Sequence, residues 1–380
     1  MIRTRHALIR PALLLVAASL AIAACGGGSG DDADETTTTD APTTTVAATT
    51  TSAKPSTTTS STSTTSTTTT IPAIIRQPLT GEPVASEADI VQRPAMVVKI
   101  DNHPDARQNH SGLATADIVF EEIVEGTATR FAAVFHSQGS TTIGPIRSGR
   151  TQDIALFSSF NSPLFVWSGG NGGVTAAIDA SPLVNMGPNH AQGYYRGPGK
   201  APHNLYNDTD TIWLQTPADQ PGPPPQQYVY LRPEETFVGT PSDGVALSVG
   251  STKVDWTWNA ETSKFDRIQN GAPHVDKING PIAATNVIIM GVQYQPSPVD
   301  NRSPEAQTVG EGPVYVWSAG QYIEGRWKRE YGIFPLEFYD LNGNPIALTP
   351  GNTWIELAKE VPTLDPNKTG VDMVIKGPPA

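Results

Sequence analysis

The run Ala95-Met-Val-Val-Lys-Ile100, closed by Asp101-Asn102-His103-Pro104, is the stretch on which the fold turns. Five of its first six residues are apolar, and a polar turn with proline follows, so it reads as a buried strand that stops at Asp101. Residues at such a strand end are well placed for a site. Working outward, residues 111–117 predict a short helix with Ser111 as a possible cap, and residues 118–124 and 129–136 predict strands. Residues 153–160 read as a helix, 163–167 as a strand and 174–180 as a second helix. Strands interleaved with short helices predict a mixed α/β domain over residues 82–216.

Residues 217–244 are proline-rich and read as a linker. Beyond them the pattern changes to strands. Val254-Asp-Trp-Thr-Trp258 alternates, Asn270-Gly271 marks a turn, residues 286–294 form an apolar run, and residues 314–317 and 322–327 suggest a hairpin about Ser318-Ala-Gly-Gln321. Another hairpin is expected at Asp340-Leu-Asn-Gly-Asn344. The expected fold class is α+β, with the α/β domain followed by a β-rich C-terminal domain over residues 245–361 and a tail over 362–380.

Composition supports this reading. The chain has 380 residues, 38% hydrophobic, with 34 glycines and 34 prolines, which favours turns and short strands over an all-helical bundle. Its formal net charge of −12 offers no broad cationic surface, so nucleic acid is excluded as the expected partner. The single cysteine, Cys25, rules out an intrachain disulfide and any multi-cysteine metal site.

The N-terminus explains that cysteine. Arg3, Arg5 and Arg10 precede a 14-residue apolar stretch from Pro11 to Ala24, which is short for a membrane span and reads as a signal peptide over residues 1–24. Ile22-Ala-Ala-Cys25 matches the bacterial lipobox, making Cys25 the expected site of lipidation and the chain an extracytoplasmic protein anchored to the cell membrane. From residue 25 to 71 the chain reads as a disordered tether: residues 36–70 contain 26 Ser or Thr and no aromatic.

A resemblance emerges from the order of several short motifs: Arg93-Pro94, Ile100-Asp-Asn-His103, Gly112-Leu-Ala-Thr-Ala-Asp117, Phe120-Glu121, Val124-Glu-Gly126, Thr129-Arg-Phe131 and Ile143-Gly-Pro-Ile-Arg-Ser-Gly-Arg150. Ala201-Pro-His-Asn204, Arg267, Asn270-Gly271, Pro273-His274, Asp276, Asn286-Val-Ile288, Pro350-Gly351 and Thr353-Trp354 continue it. Across about residues 85–361 the chain resembles the YerB-like lipoproteins, built on domain of unknown function 3048. The resemblance implies a lipid-anchored extracytoplasmic protein with an α/β part and a β-rich part. It carries no catalytic assignment.

Chemistry must therefore be read from the residues. Arg130, Arg147, Arg150 and Asp153 form the densest polar group, around a glycine-bearing loop that precedes a predicted helix. Guanidinium forks and helix amides both suit phosphate or carboxylate, while pairing with Glu121, Glu122, Glu125 or Asp153 would make the same arginines structural. Asp101, Asn102 and His103, with Asp117, His203 and Asn204, form a second candidate ligand-binding group, suited to general acid/base work or to a divalent ion, with turn capping as the alternative. No spacing specific to a metal or cofactor is present, and none is expected. Ser168-Gly-Gly-Asn-Gly-Gly173 lacks the lysine of a phosphate-binding loop, and Asp340 to Asn344 lacks the distal glutamate of a calcium loop. Trp256, Trp258, Trp317, Trp327 and Trp354 are expected in the core of the β-rich part, with glycan stacking as the alternative. With no nucleophile and base legible together, the expected function is a non-catalytic module that binds a cell-wall glycan, phosphopolymer, lipid-linked precursor or envelope protein through an arginine-lined anion site. The alternative is an envelope enzyme acting on a phosphate- or sugar-bearing substrate.

Overall fold

The computed structural model describes residues 73–361 and 370–378. The expected signal peptide, Cys25, the tether up to residue 72 and part of the tail lie outside the described residues. Among the described residues no helix is long and apolar enough to cross a membrane.

Strand β1 (Met96–Asp101) is flanked by β3 (Thr129–Phe135), which runs antiparallel to it, and by β4 (Leu164–Val166), which runs parallel. β2 (Ile118–Ile123) pairs with the far side of β3, and β5 (Val184–Asn185) extends the sheet beyond β4. All 19 residues of β1, β2 and β3 are buried. That explains their near-continuous apolar sequence, since a sheet covered on both faces has no solvent side to reward alternation.

The two sequence blocks meet in this sheet. Strand Thr353–Lys359 lies between β2 and Asn286–Val292, parallel to both, with Ile118 opposite Thr353 and Asn286 opposite the same residue. The order then continues through Gly310–Ser318, Gln321–Arg329 and Glu337–Asp340, giving an 11-stranded sheet drawn from both halves of the chain. A second, six-stranded sheet carries Gly244–Val249, Thr252–Asn259 and Lys264–Gln269. Its edge strand Met373–Ile375 comes from the expected tail.

Side-chain alternation sorts the core into two layers. Met96, Val98, Ile100, Val119, Phe131, Ala133 and Trp354 pack with Trp256 and Phe265 of the second sheet. Val97, Phe120, Ala132, Val134 and Ile355 pack with Leu156, Phe157 and Phe160 from the helical segment Gln152–Phe157 and Ser158–Phe160. Trp256, Trp317, Trp327 and Trp354 are buried, as core packing requires, while Trp258 is partly buried against Phe265. The stretch read as a linker is packed as well: Tyr228, Tyr230 and Phe237 are buried, and Leu231 donates to the Leu348 carbonyl. Gly81 has φ +68°, and a Cβ there would lie 2.2 Å from the Tyr230 ring, so the ordered fold already includes residues before 82.

The predicted turns appear where expected. Asn270 and Gly271, and Ala319 and Gly320, all have positive φ, the conformation of a two-residue hairpin turn. Asn171 caps helix Gly172–Asp179 by accepting the Val174 amide, which accounts for the glycine-rich loop before it. The Asp340 carboxylate accepts the amides of Asn342 and Asn344, so that segment is a self-bonded turn. Residues 111–117 contain only the 3-10 turn Leu113–Thr115.

Candidate functional site

Alternation along β1, β2 and β3 places charged residues in the interior on both faces of the sheet. On the helix-covered face, Lys99 pairs with Glu122 and, at 2.8 Å, with Asp153, all fully buried. Burial pushes the Lys99 ammonium down to about 8, against the pull of Asp153. Asp153 also accepts the Arg150 amide at 2.7 Å, so the backbone donor that the sequence offered to an anion holds the chain's own carboxylate. Arg150 forms a two-pronged pair with Glu125, whose carboxyl is raised by burial but held at about 2 by Arg150 and Ser303. Arg130 donates to the Ser148 carbonyl, and burial together with the neighbouring Arg150 lowers its guanidinium to about 10.

On the opposite face, Arg267 contacts Glu121 and lies 3.6 Å from Glu356, with no side-chain exposure in any of the three. Its guanidinium lies 4.7 Å from the Trp354 ring centre, 5.4 Å from Phe131 and 5.5 Å from Trp256. A hydrogen-bond chain leads away from this centre. Arg267 Nη1 donates to His274 Nδ1 at 2.7 Å, leaving His274 Nε2 to donate to His110 Nδ1 at 2.8 Å. His110 Nε2 then donates to the Asp101 carbonyl at 2.7 Å, since a carbonyl can only accept. Burial lowers His110 to about 4 and His274 well below the usual imidazole range, so both remain neutral and keep this direction.

The chain of bonds ends at a corner where three distant segments meet. Asp101 closes β1; its Oδ1 accepts the His103 amide at 3.0 Å, and its Oδ2 lies 2.6 Å from His203 Nδ1 and 3.4 Å from Arg147 Nε. Arg147 is held by its backbone: its amide donates to the Lys99 carbonyl and its carbonyl accepts from Ser168. Its side chain is 24% exposed; its Nε meets Asp101 as an ion pair without a hydrogen bond, and its two terminal Nη groups have no hydrogen-bond partner among the described residues either. The same is true of His203 Nε2. Asn204, also expected to bind ligand, bonds Arg196, Gly197 and Gly199 and so shapes the loop that carries His203. His103 stacks on His203 with ring centres 4.1 Å apart.

The structure thus brings Arg130, Arg147, Arg150, Asp153, Asp101, His103, His203 and Asn204 to one end of the sheet but gives them different work. Arg130, Arg150, Asp153 and Asn204 make internal bonds, whereas Arg147, His103 and His203 retain outward capacity. Asp117 lies apart, buried and bonded to His136 and Ser137, with burial raising its carboxyl to about 6. None of the eight lines either of two cavities of about 620 and 680 Å³ found elsewhere, the first mostly apolar around Tyr294, Ala358 and Val371. Sequence reading missed Arg267, Glu356 and His110 as one network, because their partners are separated by up to 164 residues.

The Asp101–Arg147–His203 corner sits on a mixed sheet that the parallel strand Thr353–Lys359 completes from the C-terminal half of the chain. Residues 79–221 match the family described as "Protein of unknown function (DUF3048) N-terminal domain", and residues 245–355 match its C-terminal domain, so the chain belongs to the DUF3048 family. It is 30% identical over 304 residues to "Putative lipoprotein YerB" of Bacillus subtilis strain 168, covering 77% of this chain and 87% of that protein. The crystal structure of Bacillus subtilis YerB superposes with a TM-score of 0.65 at 26% identity, over 79% of this chain and 99% of the YerB chain.

Proposed function

We propose that the protein is a lipid-anchored extracytoplasmic binding module that takes an anionic group of a cell-envelope polymer or lipid-linked precursor at the Asp101–Arg147–His203 corner. The observation that carries this reading is the state of Arg147: its Nε faces Asp101 at 3.4 Å as an ion pair without a hydrogen bond, and both Nη groups lack a partner among the described residues. A guanidinium that faces a carboxylate through Nε and is open at its terminal pair suits two-point contact with phosphate or carboxylate. Asp101 faces Arg147 and lies within hydrogen-bond distance of His203, so its charge orients the site more than it repels the ligand. Titrating the purified protein with inorganic pyrophosphate at low ionic strength tests the reading. Saturable binding is expected, and heats no larger than dilution would remove it.

The lipobox Ile22-Ala-Ala-Cys25 and the lipoprotein name of the Bacillus relative support the anchor. In a bacterial host, Cys25→Ala is expected to move the protein out of the membrane fraction. Undiminished membrane retention would contradict lipidation as the main anchor.

A further inference from the structure

His103, Asp105 and His203 are the only group of three His, Cys, Asp or Glu ligand atoms gathered closely enough for an ion among the described residues, all within 4.8 Å of one another. We infer that they form a site for a divalent transition ion of the zinc class, a function beyond the anion binding proposed above and located at the same corner.

The second coordination layer is already in place. His203 Nδ1 bonds the Asp101 carboxylate at 2.6 Å, which leaves Nε2 as the ligating nitrogen and fixes the ring's direction. A carboxylate holding the far nitrogen is the usual support of a metal-bound histidine, raising its basicity and setting its tautomer. Asp101 is in turn fixed by the His103 amide and faced by Arg147, so the support is rigid. His103 Nδ1 lies 3.7 Å from Asp105 Oδ2, close to the ~3.3 Å between two ligands of a tetrahedral ion with bonds of ~2.0–2.2 Å.

One rearrangement is required. An ion binds in the plane of an imidazole, and the His103 and His203 rings are stacked with only 14° between their planes, so no single point serves both. His203 is held, but the side chains of His103 and Asp105 are 47% and 65% exposed and free to turn. His103 would exchange its stacking contact and its cap on the Asp105 amide for a metal bond. Two imidazoles and one carboxylate suit zinc over magnesium or calcium, which favour all-oxygen sets. Three protein ligands would leave a fourth position open.

Titration calorimetry with Zn²⁺ in a non-chelating buffer at pH 7.5 tests the site without any anionic ligand. One ion per chain is expected, with affinity falling at least tenfold in His203→Ala and in the double variant His103→Ala/Asp105→Asn. Asp101→Asn, which touches no metal, is expected to lose about 10–100-fold, while His190→Ala binds as the wild type does. Because His103 and Asp105 are exposed, the double variant keeps its fold, and its melting curve checks this. Absence of stoichiometric Zn²⁺ uptake, or uptake unchanged in the double variant, would overturn the site. Because the titration contains no pyrophosphate, its failure is distinguishable from failure of anion binding by Arg147.

Discussion

Arg267→Met is expected to destabilise the protein by about 3–5 kcal/mol, whereas Glu356→Gln changes stability by less than about 1 kcal/mol. The difference follows from how the buried centre is charged. Glu121 and Glu356 are opposite each other in neighbouring parallel strands, both fully buried, and share one arginine. Two carboxylates cannot both ionise there. Burial and the adjacent Glu121 raise the Glu356 carboxyl well above its usual range, so it keeps its proton, and Trp256 Nε1 donates to it at 3.0 Å. Glutamine is close in shape to that neutral acid. Glu121 is the carboxyl on which the donors converge, accepting from Thr129 at 2.6 Å and Asn102 at 3.2 Å as well as from Arg267. Removing Arg267 strands this carboxyl in an aromatic cage and also breaks the chain through His274 to His110. Thermal unfolding of both variants is the check, with a fall in Tm of about 10 °C expected for Arg267→Met. Equal Tm values for the two would contradict the assignment of charge.

Acid should weaken the fold through its buried imidazoles, and His136 allows one of them to be isolated. Burial lowers His136 to about 4, against about 6.5 in an unfolded chain. Between those values the unfolded state binds the extra proton, so stability is fully present above pH ~6.5 and is lost as pH falls toward 4, by up to about 3 kcal/mol for this residue. Asp117, whose carboxylate accepts the His136 amide, acts in the opposite sense, since its raised value near 6 makes the folded state the better proton acceptor below that pH. Arg93, which donates to the His136 carbonyl, stays charged throughout. The net curve therefore mixes signs, and the informative quantity is the difference made by His136→Gln. Urea unfolding at several pH values from 6 to 4.5 should show a slope smaller by nearly one proton, about 1.4 kcal/mol per pH unit, in the variant. Parallel slopes would show that His136 does not titrate as its burial requires.

The parts of the fold legible in the sequence are those set by local pattern. β1, β2 and β3 announce themselves as apolar runs, and the turns at Asn270-Gly271 and Ala319-Gly320 by residues that tolerate positive φ. Strand Thr353–Lys359 is the instructive omission. Its sequence Thr-Trp-Ile-Glu-Leu-Ala-Lys carries one glutamate, as β2 carries two, and the distant Arg267 and Trp256 accommodate Glu356 in the interior. Met373–Ile375 is three residues long, too short for any periodicity. The candidate site divides in the same way. Clustering of Arg147 and Arg150 is visible in the sequence, but their difference is not: Arg150 meets Glu125 across 25 residues, while Arg147 meets Asp101 at the end of another strand. His203 reaches that same carboxylate from 102 residues away.

The binding reading stands or falls with the open fork of Arg147, and replacing it with lysine keeps the charge while removing the second contact. Pyrophosphate titration of wild type and Arg147→Lys, side by side at low ionic strength, is the most direct measurement. One lost charge-assisted hydrogen bond, worth about 1.5 kcal/mol, predicts an affinity about tenfold lower in the variant with the melting temperature nearly unchanged. Equal affinity in the two proteins, or no saturable binding by the wild type, would contradict an anion site at this corner.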